Sequence, residues 1–150
     1  MHAWTRYCTK SVPLLLVVFD TNIVIAHIRR QQLLPLRVVL PFAVVGELEA
    51  FALKADWGYQ KVAFLRQLLE RHPLVGFVPE LVGLYARLDT YSQGKLRGQP
   101  LPPGMSARNM SKNDLWIAAT ALYLDLPLHT TDNDFDHLPA LGLLLVKEPV

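Results

Sequence analysis

Cysteine is nearly absent from this chain. Cys8 is the only one among 150 residues. That excludes an internal disulfide framework and a cysteine-based zinc site, and a reducing, cytoplasmic setting is the expectation. Neither sign of charge is in clear excess: 15 basic against 13 acidic residues leave +2, too little by itself to argue for a nucleic-acid partner. Clustered histidine is missing too, since His27, His129 and His137 are scattered along the chain. Long apolar runs are also missing, and no stretch nears the roughly 18 residues a membrane span needs. The opening MHAWTRYCTKSVPLLLVVF has the cations and apolar run of a secretion signal. The run is short, however, no small-residue cleavage site follows, and Asp20 ends it. What remains is a globular chain. Its residues are 51% hydrophobic and 19% charged, unlike a disordered segment, and its length can bury a real core as one domain.

The apolar segments alternate in kind. LLLVVF (14–19) and RVVL (37–40) read as parallel strands covered on both faces. Between them Thr21 to about Leu34 reads as a helix halted before Pro35. Pro41 can open the next helix, FAVVGELEAFALKAD. YQKVAFLRQLLERH (59–72) is amphipathic, with Val62, Leu65, Leu68 and Leu69 on one stripe. LVGFV (74–78) is a third strand, 80–93 a helix, Lys112 to about Leu124 another. PLHTT (127–131) and GLLLV (142–146) complete five strands, with DFDHLPAL as a short helical turn between them. Such alternation predicts a parallel sheet with helices on both faces, an α/β/α sandwich. Residues 1–13 are expected to be an extension preceding a single domain over 14–150. Residues 94–110 hold three Gly and three Pro and read as a long loop.

The acids recur at the boundaries of these elements. Asp20 ends the first strand, Asp114 opens a late helix, and Asp132 and Asp134 follow the fourth strand. Each has an ordinary explanation. Asp20 fits a helix N-cap, Ser111-Lys112-Asn113-Asp114 a capping box, and Asp132-Asn133-Asp134 a turn; Asp136 reads as a solvated loop residue. Glu47 is harder to dismiss. Val44, Leu48 and Phe51 share a helix face, and Glu47 lies about 60° from its middle, where a carboxylate needs a partner, while Glu49 points away. In an open α/β sheet, residues past the carboxyl ends of strands converge on one crevice. Carboxylates crowded there repel unless a cation joins them, so the ensemble points to a divalent-metal site. Oxygen donors without Cys or clustered His favour Mg²⁺ or Mn²⁺ over zinc.

The order DTN after the first strand, GELEAF on the second helix, NDLWIAA on a late helix and TTDNDF after the fourth strand resembles the PIN-domain nucleases, and among them the VapC-type toxins of toxin–antitoxin pairs. The likeness runs over roughly residues 14–147. It implies a metal-dependent endoribonuclease that hydrolyses RNA phosphodiester bonds with a metal-activated water. Carried over by position, the family's carboxylates fall on Asp20, Glu47, Asp114 and Asp132. Asp134 matches an auxiliary acid, and Thr21, Asn22 and Thr130 match polar residues that orient the site. Asp20, Glu47 and Asp114 would then hold the principal ion, and Asp132 with Asp134 a second ion or the water. The chain departs from the family's pattern at Ala50-Phe51, where a Gly is common, in its N-terminal extension, and in its enlarged loop.

The resemblance further implies a cognate antitoxin and a homodimer. An RNA substrate needs positive charge near so many acids. Between Thr90 and Asn113 lie Lys95, Arg97, Arg108 and Lys112 and no acid. That stretch reads either as a solvated connector or as a flexible arm that tracks RNA phosphates, with Tyr91 available to stack on a base. The competing readings are a non-catalytic PIN-like binding module whose acids serve only as caps, and a housekeeping RNA-processing nuclease. A phosphoacceptor receiver domain, for which Lys147-Glu148-Pro149 would fit superficially, lacks the acceptor Asp on the third strand.

Overall fold

In the computed structural model, residues 15–149 are described; the expected N-terminal extension and Leu14 lie outside the described residues. The Val-rich run forms β1 (Val17–Phe19), buried along its whole length. Asp20 breaks it, and α1 (Thr21–Arg29) begins at once. β2 (Val38–Pro41) passes directly into α2 (Phe42–Lys54), because the fixed φ of proline suits the entrance to a helix. Then come α3 (Tyr59–Arg71), β3 (Leu74–Val75) and α4 (Glu80–Ser92). A long loop leads to α5 (Lys112–Leu124) and β4 (Leu128–Thr130). Two 3₁₀ turns, Asn133–Phe135 and Leu138–Leu141, precede β5 (Leu145–Lys147).

The strands form one sheet in the order β3-β2-β1-β4-β5, and every neighbouring pair is parallel. This is the expected α/β/α architecture. β1 is its centre: the chain moves outward through β2 and β3 on one side, then returns to place β4 and β5 on the other. The carboxyl ends of β1 and β4 are therefore a topological switch point, where open α/β sheets form their crevice. Val18, Leu40, Leu128, Leu48, Ile117 and Phe135 are fully buried and join the sheet to its helices.

Several boundaries differ from those expected. The first helix stops at Arg29, not near Leu34, because Gln31 adopts a left-handed backbone at φ 52°. Leu34 is buried all the same, so its apolar character comes from a packed loop. β3 has only Leu74 and Val75, and Phe77 beyond it is 55% exposed. The last strand begins later than Gly142, which at φ 100° caps the preceding 3₁₀ turn. β4 is also shorter than expected at each end.

The phase of α2 is directly testable. Leu48 is fully buried whereas Leu53 is 82% exposed. Leu48→Ala is expected to cost about 2–5 kcal/mol in urea unfolding, and Leu53→Ala to stay within about 0.5 kcal/mol of the parent.

Candidate active site

Asp20 sits at the switch point, only 4% exposed. As the N-cap of α1 its Oδ1 accepts the amide of Thr21 at 2.8 Å. Its Oδ2 accepts the hydroxyl of Thr130 at 2.8 Å. The pairing of Phe19 with His129 sets that second contact, since it places the residues after β1 and β4 side by side. Thr130 also accepts the amide of Asp132 at 2.9 Å, and Asp132 Oδ1 accepts the amide of Asp134 at 2.9 Å. Thr21, the first residue of α1, donates its hydroxyl to Glu47 Oε1 at 2.9 Å. Ser111 caps α5 by accepting the amide of Asp114 at 3.1 Å. Four separate stretches of chain thus deliver five carboxylates to one end of the sheet.

The electrostatics record their crowding. Burial pushes the Asp114 carboxyl up to about 7, with the negative charges of Asp20, Asp132 and Glu47 adding to the rise and the Ser111 contact opposing it. Burial also raises Asp20, against the lowering effect of its Thr130 and Thr21 hydrogen bonds, with Asp132 and Asp134 raising it further. Glu47 is raised by burial and by Asp20, and held down by Thr21, Asn113 and Lys54. Asp114, Asp132 and Asp134 each offer a carboxylate oxygen within 4.8 Å of the other two. A single hard cation fits that donor set. Asp20 and Glu47, expected to accompany Asp114, lie close enough for their charges to act on it. Asp20 accepts one hydrogen bond on each oxygen and Glu47 one from Thr21, which leaves lone pairs on both carboxylates.

Asn22 and Thr21 line a cleft of about 490 Å³ that also takes in Glu47, Lys54, Asn113 and Trp116. Glu49 turns away and pairs with Arg66 of α3, with Nη2 donating at 3.0 Å. The basic stretch is less free than its composition suggests. Arg108 accepts no freedom at its backbone, donating its amide to Ser92 O at 2.8 Å, and its guanidinium donates to Asn133 O at 3.1 Å. Met110 is buried against Ser92. Lys95, Arg97 and Lys112 are exposed. Tyr91 is not available for stacking on a base: it is 1% exposed and lies parallel to His137, 5.9 Å away. The helical spacing that faces it inward was present in the sequence, with Leu84, Leu88 and Tyr91 on one side of α4. Among the described residues, sequence reasoning also missed Asn113, Lys54 and Lys147. Lys54 follows Glu47 by seven positions and so shares its helix face, a signal that could have been used. Lys147 is reached only through the sheet register.

The PIN domain matches residues 17–141. The chain belongs to the PIN-domain family. Among solved structures, it is similar to a chain of VapBC-5 from Mycobacterium tuberculosis, a member of the VapBC family of toxin–antitoxin systems, at 26% identity and TM-score 0.61 over 90% of this chain and 98% of that one. A chain of VapBC2 from Rickettsia felis, solved with a DNA fragment from their promoter, is 18% identical at TM-score 0.67, with 90% and 100% covered. A chain of VapBC-1 from nontypeable Haemophilus influenzae is 24% identical at TM-score 0.62, with 89% and 98% covered. No curated protein matches. No helix of the described residues is long and apolar enough to cross a membrane.

The raised carboxyl of Asp114 gives this PIN domain a pH signature. Its folded value of about 7 lies above the ordinary aspartate value of 3.8. Between these, the folded state holds the proton more tightly than the unfolded chain, so this group's contribution to stability falls as pH rises from about 4 to about 7. In EDTA, Asp114→Asn is expected to stabilise the domain at pH 8 by about 1 kcal/mol after discounting for screening at its open side, roughly 2–4 °C for a chain of this size. The gain should shrink at pH 5. Melting curves at both values check this, and a larger gain at pH 5 contradicts the assignment.

Proposed function

We propose that this PIN domain is a metal-dependent endoribonuclease and the toxin of a toxin–antitoxin pair. The observation that carries the reading is the Asp114–Asp132–Asp134 group, whose carboxylates lie within 4.8 Å of one another beside the buried Asp20. Such a group has a deficit of positive charge, and all its donors are hard oxygens, which favours Mg²⁺ or Mn²⁺. When bound, the ion supplies the Lewis acid that activates water and neutralises charge on the phosphate.

The chain's own residues do the rest. Asp114, Asp132 and Asp134 offer the ligand oxygens, with Asp20 and Glu47 completing the negative wall. Thr130 orients Asp20 and the Asp132 amide, and Thr21 orients Glu47. Asn22 lines the adjoining cleft. RNA fits as substrate because Lys95, Arg97 and Arg108 lie on the segment leading into the helix of Asp114 and Lys112 opens that helix, where cations can neutralise phosphates. A cognate antitoxin is the proposed partner, in keeping with the likeness to chains of VapBC complexes. The reading extends to a homodimer in the cytoplasm, with one nuclease domain over 14–150 and 1–13 as an extension.

A second reading has support of its own. The carboxylates of Asp20 and Asp132 accept cap hydrogen bonds, as they would in a non-catalytic binding module. Cleavage separates the two. With Mg²⁺ or Mn²⁺ and total RNA, the wild-type chain should produce discrete ends. Asp20→Asn and Glu47→Gln should lower the rate at least about 100-fold, the upper end of what even outer-shell partners contribute. Glu49→Gln should change it little, because that carboxylate serves Arg66. No cleavage with either ion would sink the nuclease assignment, metal-independent cleavage its metal dependence, and equal loss in the two glutamate variants the placing of Glu47 rather than Glu49 in the site.

A further inference from the structure

Lys147 ends β5, and the sheet register sets it against Thr130. From there its ammonium donates to Asp132 O at 2.7 Å, to Asn133 Oδ1 at 2.5 Å and to Asp136 Oδ1 at 3.0 Å. A lysine has three donors, and all three serve one turn. The guanidinium of Arg108 adds a fourth bond, to Asn133 O. This turn carries two of the three grouped carboxylates, Asp132 and Asp134. A 3₁₀ turn of three residues is a weak structure by itself. The bonds within the turn's own reach are the Asp134 amide to Asp132 Oδ1, the Asp132 amide to Thr130 and the Asp136 amide to Asn133 O.

We propose that Lys147 is a positioning residue: by clamping the Asp132–Asp136 turn to β5 it sets the distance of Asp132 and Asp134 from Asp114, and so builds the site for a divalent cation. The proposal rests on the reading of these acids as a cation site. Charge alone argues the other way. A positive ammonium beside a divalent ion repels it, so through-space electrostatics gives Lys147 a negative effect on affinity. Positioning gives it a positive one. The two accounts predict opposite signs for the same substitution.

The experiment uses the full chain without RNA. Mn²⁺ affinity is read from the resonance of free Mn²⁺, and exchange of the Asp132 and Asp134 amides is followed by NMR. Lys147→Met should weaken Mn²⁺ binding about tenfold, the lower end of the effect of outer-shell partners, and should speed exchange at both amides. Lys147→Arg, which keeps the charge and the donors, should restore most of the affinity. The Lys147 side chain is 34% exposed on the terminal strand of the sheet, so the fold should survive, and Lys147→Gln is the second variant if Met does not fold. Mn²⁺ binding in Lys147→Met as tight as the parent, or tighter, overturns the proposal. So does unchanged exchange of the two amides, whatever the metal result. A wild-type chain that binds Mn²⁺ and leaves RNA intact contradicts the nuclease assignment while leaving the clamp standing.

Discussion

The burial of several carboxylates at one end of the sheet, with their mutual repulsion added, is the constraint on which the rest of this structure turns. Asp20 is almost wholly excluded from solvent, and burying a charge is costly unless it is hydrogen-bonded or paired. Its recorded partners are a backbone amide and a threonine hydroxyl. Hydroxyl and amide donors stabilise a carboxylate less than a full positive charge does, and the upward shifts of Asp20, Glu47 and Asp114 are the residue of that shortfall. The fold sustains it with a core that is close-packed elsewhere, from Val18 and Leu40 to Ile117 and Leu128. A site that lowers stability when empty is a familiar compromise between stability and function.

The same side chains also build the scaffold. Asp20 starts α1, Asp132 starts the first 3₁₀ turn, and Ser111 fixes the first turn of α5 so that Asp114 faces the crevice. Capping and chemistry are therefore not rival explanations here. The cap hydrogen bonds orient one oxygen of a carboxylate and leave the other for a different partner, as Asp132 shows by using Oδ1 alone for its cap. Thr21 and Thr130 tie the pieces together: the Thr21 hydroxyl joins Glu47 to the start of α1, and the Thr130 hydroxyl joins the Asp132 amide to the Asp20 carboxylate.

Much of this was legible before the structure. The Val-rich runs, the alternation of strand and helix and the acids at element boundaries led to the parallel sheet and to the carboxylates at its end. Other features depend on contacts that no local pattern encodes. Leu34 looks helical by spacing, yet Gln31 turns the chain first. The loop of 94–110 looks free by composition, yet Arg108 and Met110 are anchored to α4 through Ser92. Tyr91 looks like a surface ring beside basic residues, yet it packs on His137, which arrives from 46 positions further along the chain. Lys147 acquires its role only when parallel pairing of β4 and β5 brings it to the acid-bearing turn. Pairings across the sheet are long-range facts, and they are the facts that turned a set of acids into a grouped site.

The central claim is that these carboxylates share a divalent cation. Titration calorimetry with Mn²⁺ in two buffers of different ionisation enthalpy tests it most directly, because the difference between buffers counts protons released on binding. Asp114, with its carboxyl at about 7, must lose its proton to become a ligand. The account predicts binding that releases more protons at pH 6 than at pH 8, with the difference abolished in Asp114→Asn. No binding at millimolar Mn²⁺, or binding with the same proton release at both pH values, would contradict it.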